Sequence, residues 1–203
     1  TSTTYADGST LLSYSPAADQ NGDGYLEPGE GQLVLVGGRN SATGAPVASV
    51  LTAPTGSYVV STLTTLMSFL VERDLASGQS SSLVEVNDRI REPLGLPLVN
   101  VFLMDPSVEV IRGNLEGREV YAAQAQVHNI AVAVSGFLSI EASVPTSVIE
   151  NLVFKDMAEK LDGSTVIIDL SNQAFLESVV LGTAARIGAT VDADSLKLFV
   201  SAL

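Results

Sequence analysis

Asp19-Gln20-Asn21-Gly22-Asp23-Gly24-Tyr25-Leu26-Glu27-Pro28-Gly29-Glu30 decides how the rest of the chain is read. Side-chain oxygens fall at positions 1, 3 and 5 of this twelve-residue stretch (Asp19, Asn21, Asp23), and a glycine follows at position 6 (Gly24). The carbonyl of Tyr25 would serve at position 7, Glu27 at position 9 directly or through water, and Glu30 at position 12 as a bidentate carboxylate. Calcium takes six to eight hard oxygens, and alternate residues of a tight loop can turn inward to supply them. Gly24 allows the sharp bend, because glycine takes positive φ without a steric penalty. The expected ligand set is therefore Asp19, Asn21, Asp23, Tyr25, Glu27 and Glu30, holding Ca2+. The plainer reading is a polar, glycine-rich turn whose carboxylates face water.

The spacing is that of an EF-hand loop, but its flanks are not those of an EF-hand. Ser13-Tyr14-Ser15-Pro16 precedes it, and Gly31 to Gly38 follows as an apolar run bounded by glycines, which reads as a strand. An EF-type loop outside a helix–loop–helix pair is expected. A lone site of that kind suits a structural role better than a sensor, which needs a helix pair to open.

The chain has 203 residues, 46% of them hydrophobic, so it can bury a sizeable core. Aromatic residues are scarce and Trp is absent, which leaves Ala, Val, Leu and Ile to build that core. Ten basic against 23 acidic residues give a net charge of −13, which argues against nucleic acid and anionic membrane surfaces as partners. With no Cys there is no disulfide, thiolate metal site or Cys nucleophile. The longest apolar run, Ile130 to Val134, is far too short to span a bilayer. No basic n-region or apolar h-region follows Thr1, so no signal peptide is visible and the chain reads as an excised piece or a mature product.

Taken in order, residues 1–10 form a loose polar lead-in and Leu11 to Tyr14 a short strand. Gln32 to Val36 and Val47 to Leu51 read as strands joined by the turn Gly37 to Gly44, with Val59-Val60 as a third. That turn has neither a Gly-Lys-Ser/Thr ending nor a Gly-x-Gly-x-x-Gly, so it is not a phosphate loop. From Ser61 the period becomes helical: Leu63, Leu66, Phe69 and Leu70 recur at three and four, up to about Gly78. Ser80-Ser81-Ser82 caps a second helix with Leu83, Val86 and Ile90 inward. Asp105-Pro106 is a strong helix start. The longest helix runs from about Glu116 to Ser139 on the stripe Val120, Ala123, Val127, Ala131, Val134 and Leu138. Ser147 to Leu161 makes another, with Ile149, Leu152, Val153 and Met157 inward. Val166 to Leu170 fits a strand or a buried helix equally. Ser171 caps a helix carrying Phe175, Leu176, Val179, Val180 and Ile187, and Asp192 or Asp194 opens a last one with Leu196, Leu198 and Phe199. The fold class is mainly α: a helical bundle over 61–203, preceded by a small β-rich part over 1–60 that carries the calcium loop, packed as one compact unit.

Nothing in the chain reads as catalytic. The single His, His128, lies inside the long helix without a nucleophile or second ligand pattern, and Glu116, Glu119 and Glu141 read as solvated. Asp105-Pro106 carries one sharper alternative, calcium-dependent self-cleavage in which the carboxylate attacks its own backbone carbonyl. Asp192-Ala193-Asp194-Ser195 has two acids but no following Gly or terminal Glu, so it is a helix cap and not a second calcium loop.

Several stretches in shared order resemble a module of very large bacterial surface and adhesin-type proteins, found beside cadherin-like and other calcium-binding repeats. They are the loop Asp19 to Glu30, Gly37-Gly38, Thr52-Ala53-Pro54, Leu63-Thr64-Thr65-Leu66, Leu94-Gly95-Leu96-Pro97 and Asp105-Pro106. The likeness covers about residues 19 to 140, and Val-Ser-Thr stands where a small residue and Pro usually precede Leu-Thr-Thr-Leu. The resemblance implies an extracellular, calcium-stabilised structural or adhesive module at the bacterial cell surface, with no known activity. A protein or glycan partner is the alternative expectation.

Overall fold

The computed structural model describes residues 10–13, 15–37, 49–142 and 144–203. The lead-in over 1–9, Tyr14, the turn over 38–48 with Val47, and the side chain of Glu141 lie outside the described residues. Among those described, the chain is mainly helical, with seven α-helices and one two-stranded antiparallel sheet near the N-terminus.

Strands β1 (Gln32–Val36) and β2 (Val50–Pro54) pair with Val34 opposite Thr52. The sheet is smaller than the sequence predicts. Leu11 to Ser13 form no strand, β2 starts at Val50, and Val59-Val60 is irregular. A physical reason lies on the far edge of β2. The Thr52 amide donates to Thr65 Oγ1 at 2.9 Å, and its carbonyl accepts from the Thr64 and Thr65 hydroxyls. Those bonds take up the groups a third strand would need. Three residues before the helix cap, the Tyr58 amide donates instead to the Phe102 carbonyl.

Helix α1 (Thr62–Ala76) is the centre of the molecule. Ser61 and Thr64 form a capping box at its start. Its first half is buried on every side, polar Thr62, Thr64, Thr65 and Ser68 included, because β2, α4 and α5 pack around it. Around it run α2 (Leu83–Arg91), α3 (Pro106–Ile111), α4 (Leu115–Glu141), α5 (Thr146–Leu161), α6 (Gln173–Ile187) and α7 (Ala193–Ser201). The whole predicted stripe of α4, from Val120 to Leu138, is buried. It meets α5, whose Phe154 is a fully enclosed side chain. Burial of Leu, Val and Ile at about 25 cal/mol per Å2 drives the assembly.

Three readings are corrected at the edges of this bundle. Val166 to Leu170 is neither strand nor helix: Ile168 makes one amide bond to the Pro93 carbonyl at 2.7 Å, while Val166 and Ile167 stay exposed. The cap of α6 is Asn172, which accepts from the Phe175 amide, whereas Ser171 is held in a local turn by Asp169. On α7 Leu198 faces outward and Val200 takes its place in the core; Phe199 stacks on Phe137 of α4 with ring centres 4.3 Å apart.

Candidate metal centre

The loop from Asp19 to Glu30 is flanked by a single 3-10 turn, Pro16–Ala18, and by β1, so neither flank is an α-helix. Its side chains nonetheless fold back on its own backbone. Asp19 accepts from the amides of Gly22 and Gly24 at 2.6 and 2.7 Å, one with each oxygen. Asn21 Oδ1 accepts from the Asp23 amide and Asp23 Oδ1 from the Tyr25 amide, both at 2.9 Å. These local bonds are what short acid and amide side chains do in turns. Gly22 and Gly24 sit at φ 76° and 90°, where a Cβ would be strained.

Glu30 closes the loop. Its Oε1 accepts from the amides of Gln20 and Asn21 at 2.7 and 3.2 Å, and its Oε2 from the Glu27 amide at 3.0 Å. The terminal glutamate therefore returns over nine and ten residues to the first turn. The carbonyl of Glu27 accepts from the buried hydroxyl of Thr55, just past β2. Thr55 is a residue the sequence did not flag, and 28 positions of intervening chain leave no local signal for it.

Charge within the loop is crowded. The Glu30 carboxylate against Glu27, followed by burial and the charge of Asp23, raises the Glu27 carboxyl above its ordinary value, although Asn21 opposes this. Glu30 is lowered, first by the Glu27 amide and then by the Gln20 and Asn21 amides, against a desolvation that would raise it. Asn21 Nδ2 donates to Glu27 Oε2 at 3.1 Å.

The donor set is all oxygen and mostly anionic, which suits a hard divalent cation. Two features fall short of a ready-made site. Among the described residues, no group of three or more His, Asp or Glu side chains is gathered closely enough to hold a metal ion. Asn21 also turns its amide nitrogen, not its oxygen, toward Glu27. A cation would require that amide to rotate by half a turn and the acids to give up part of their bonding to loop amides. Tyr25 is exposed and contributes only its backbone to the loop's hydrogen bonds described here.

The other candidates are placed as follows. His128 lies half-buried on α4 between buried Val127 and exposed Asn129. Asp105 caps α3: its Oδ1 accepts from the amides of Ser107 and Val108 at 2.9 and 3.3 Å, with Pro106 at the first helical position. Asp192 caps α7 through the Ser195 amide. Among the described residues, no helix is long and apolar enough to cross a membrane. No protein-family model, curated protein or solved structure matches the chain.

Proposed function

We propose that the chain is a calcium-binding structural or adhesive module of a secreted or surface-anchored bacterial protein, in which the ion stabilises the fold. Asp19, Asn21, Asp23, Glu27 and Glu30 would hold the ion with their side chains and Tyr25 with its carbonyl. The observation that carries the reading is the return of Glu30 onto the amides of Gln20 and Asn21, with Asp19 bridging Gly22 and Gly24. These bonds bring the two ends of a twelve-residue oxygen-rich stretch together, and Thr55 ties the same loop to the sheet. Bound calcium would neutralise the crowding of Glu27, Glu30 and Asp23 and fix that loop against the end of β2 and the last turn of α1. Extracellular modules of this kind bind calcium at about 10⁻⁴ to 10⁻³ M, so even a loose site fills outside a cell. The reading assigns no reaction to the chain.

A thermal melt of the parent and Asp19→Ala, in calcium, in magnesium and in EDTA, tests this, with each sample also run on a denaturing gel. Calcium should raise the midpoint of the parent by several degrees and leave Asp19→Ala unmoved. No calcium effect on the parent would reduce the loop to a polar turn. Cleavage between Asp105 and Pro106 on adding calcium would replace the structural reading with the self-cleaving one.

A further inference from the structure

Beside the loop, an open groove of about 830 Å3 runs between residues 27–30 and the junction of α1 with α2. Its floor is apolar: Val71 and Leu75 from α1, and Leu83 from the first turn of α2. Leu75 remains 46% exposed although its methyls pack on Gly29. The rim carries Glu27, Glu30 and Glu85 with Ser80, Ser81 and Ser82, and among the described residues no Lys, Arg or His lines the groove. The guanidiniums of Arg73 and Arg89 on the same two helices are both taken up by Asp74 and Asp162. An apolar strip edged by three carboxylates, of which Glu85 alone feels a nearby cation (Arg89), on a chain of net charge −13, complements one side-chain chemistry above others: a hydrocarbon stem ending in a cation. We propose that this groove docks an extended segment of a partner protein in which a lysine or arginine alternates with an apolar residue, the stem lying on Leu75 and Leu83 and the charge among Glu27, Glu30 and Glu85. The proposal rests on the groove and not on the calcium reading.

Fluorescence anisotropy with a short labelled peptide alternating lysine and leucine, titrated with the full chain in EDTA at low salt, tests it. Saturable binding is expected. Glu85→Gln keeps the helix cap, because Gln also serves at that position, yet removes the charge, and should weaken binding by about threefold. Leu75→Lys, at an exposed position, should weaken it by about tenfold or more. A peptide with glycine in place of leucine should bind about tenfold more weakly at equal charge. Glu177→Gln, remote on α6, should leave affinity unchanged. Equal binding of the glycine peptide, or an equal loss with Glu177→Gln, would mean diffuse attraction to an acidic surface and would overturn the assignment. So would a concentration-dependent dimer abolished by Leu75→Lys, which would give the groove to a second copy. Loss of the calcium effect in the melts leaves these outcomes untouched.

Discussion

The buried hydroxyl of Thr55 donates to the carbonyl of Glu27, and the same oxygen lies 3.3 Å from the carbonyl of Gly31. One side chain at the end of β2 thereby clasps both sides of the loop's last turn. The loop is exposed and short of apolar contacts, so this hydroxyl matters more than it would on an ordinary surface turn.

Thr55→Val is isosteric and keeps the methyl packed against Gly31 while deleting the donor. It should cost about 1 kcal/mol, the net worth of one hydrogen bond, since the Glu27 carbonyl keeps the Glu30 amide at 2.9 Å. Thr55→Ser, which keeps the hydroxyl, should retain most of the stability. Urea unfolding of the three proteins measures the difference, and a loss in Ser with none in Val would place the effect in the methyl instead.

A second close contact lies at the α5–α6 interface. The carboxylate of Asp156 lies directly on Gly182, where an added Cβ would fall 2.7 Å from Asp156 Cγ. Asp156 is 3% exposed; Lys160 Nζ stands 3.2 Å from its Oδ2 without hydrogen-bond alignment, and Arg186 Nε 3.6 Å from its Oδ1. Gly182→Ala must push the carboxylate away from both cations or separate the helices. We expect a loss of about 2–3 kcal/mol, larger than helix propensity could return by replacing glycine. Calorimetry on Gly182→Ala and Gly182→Ser decides it; a stabilised alanine variant would mean the interface is slack.

Periodicity made the helices legible: the stripe from Val120 to Leu138 could be written from the sequence, and it is the buried face of α4. Caps were legible at Ser61, Ser82, Asp105 and Asp192, because a cap is a local bond between neighbours. What failed was what depends on distant chain. Val59-Val60 has strand composition, but the edge it would join is closed by Thr64 and Thr65. Leu198 has the hydrophobicity of a core residue, but α7 is a short terminal helix packed mainly on α6, and its outer face stays in water. At the candidate metal centre the spacing of donors was legible, whereas the tie from Thr55 and the groove against Leu75 and Leu83 arise only when α1 and α2 are packed.

Asp156 also makes stability depend on pH. Burial raises its carboxyl above the ordinary 3.8, and Lys160 and Arg186 offset this only in part. A folded value above the unfolded one means the protonated form is favoured by folding. Its contribution is complete below 3.8 and is lost as pH rises through the raised value. Asp156→Asn removes the charge at nearly constant shape, so the stability of the parent relative to this variant should fall as pH rises above 3.8 and through the raised value. At neutral pH the variant should lie within about 1 kcal/mol of the parent or above it, since a buried ion pair need not repay its desolvation. A parent that gains on the variant as pH rises would put the ion pairs ahead of burial.

The opposite sign applies where α1, α2 and the end of α5 meet. Arg89 donates through Nε to Asp162 Oδ1 at 2.6 Å and through Nη2 to Asp74 Oδ1 at 3.2 Å, and Arg73 donates to Asp162 as well. Burial would raise both carboxyls, but the Arg89 bonds, with Ser81 at Asp74 and Arg73 at Asp162, overcome it and hold both below 3.8. Folded values below the unfolded ones give a contribution that is present above 3.8 and lost as pH falls through the lowered values. Arg89→Met leaves Asp74 buried and opposite Asp162 with only Arg73 between them, a loss of about 3 kcal/mol at neutral pH. In acid the two carboxyls protonate and no longer need the guanidinium, so the gap between parent and variant should narrow as pH falls below 3.8 and through the lowered values. Denaturant unfolding across that window reads it directly. A gap that stays constant into acid would mean that Arg89 holds the three helices by packing its stem and not by its charge.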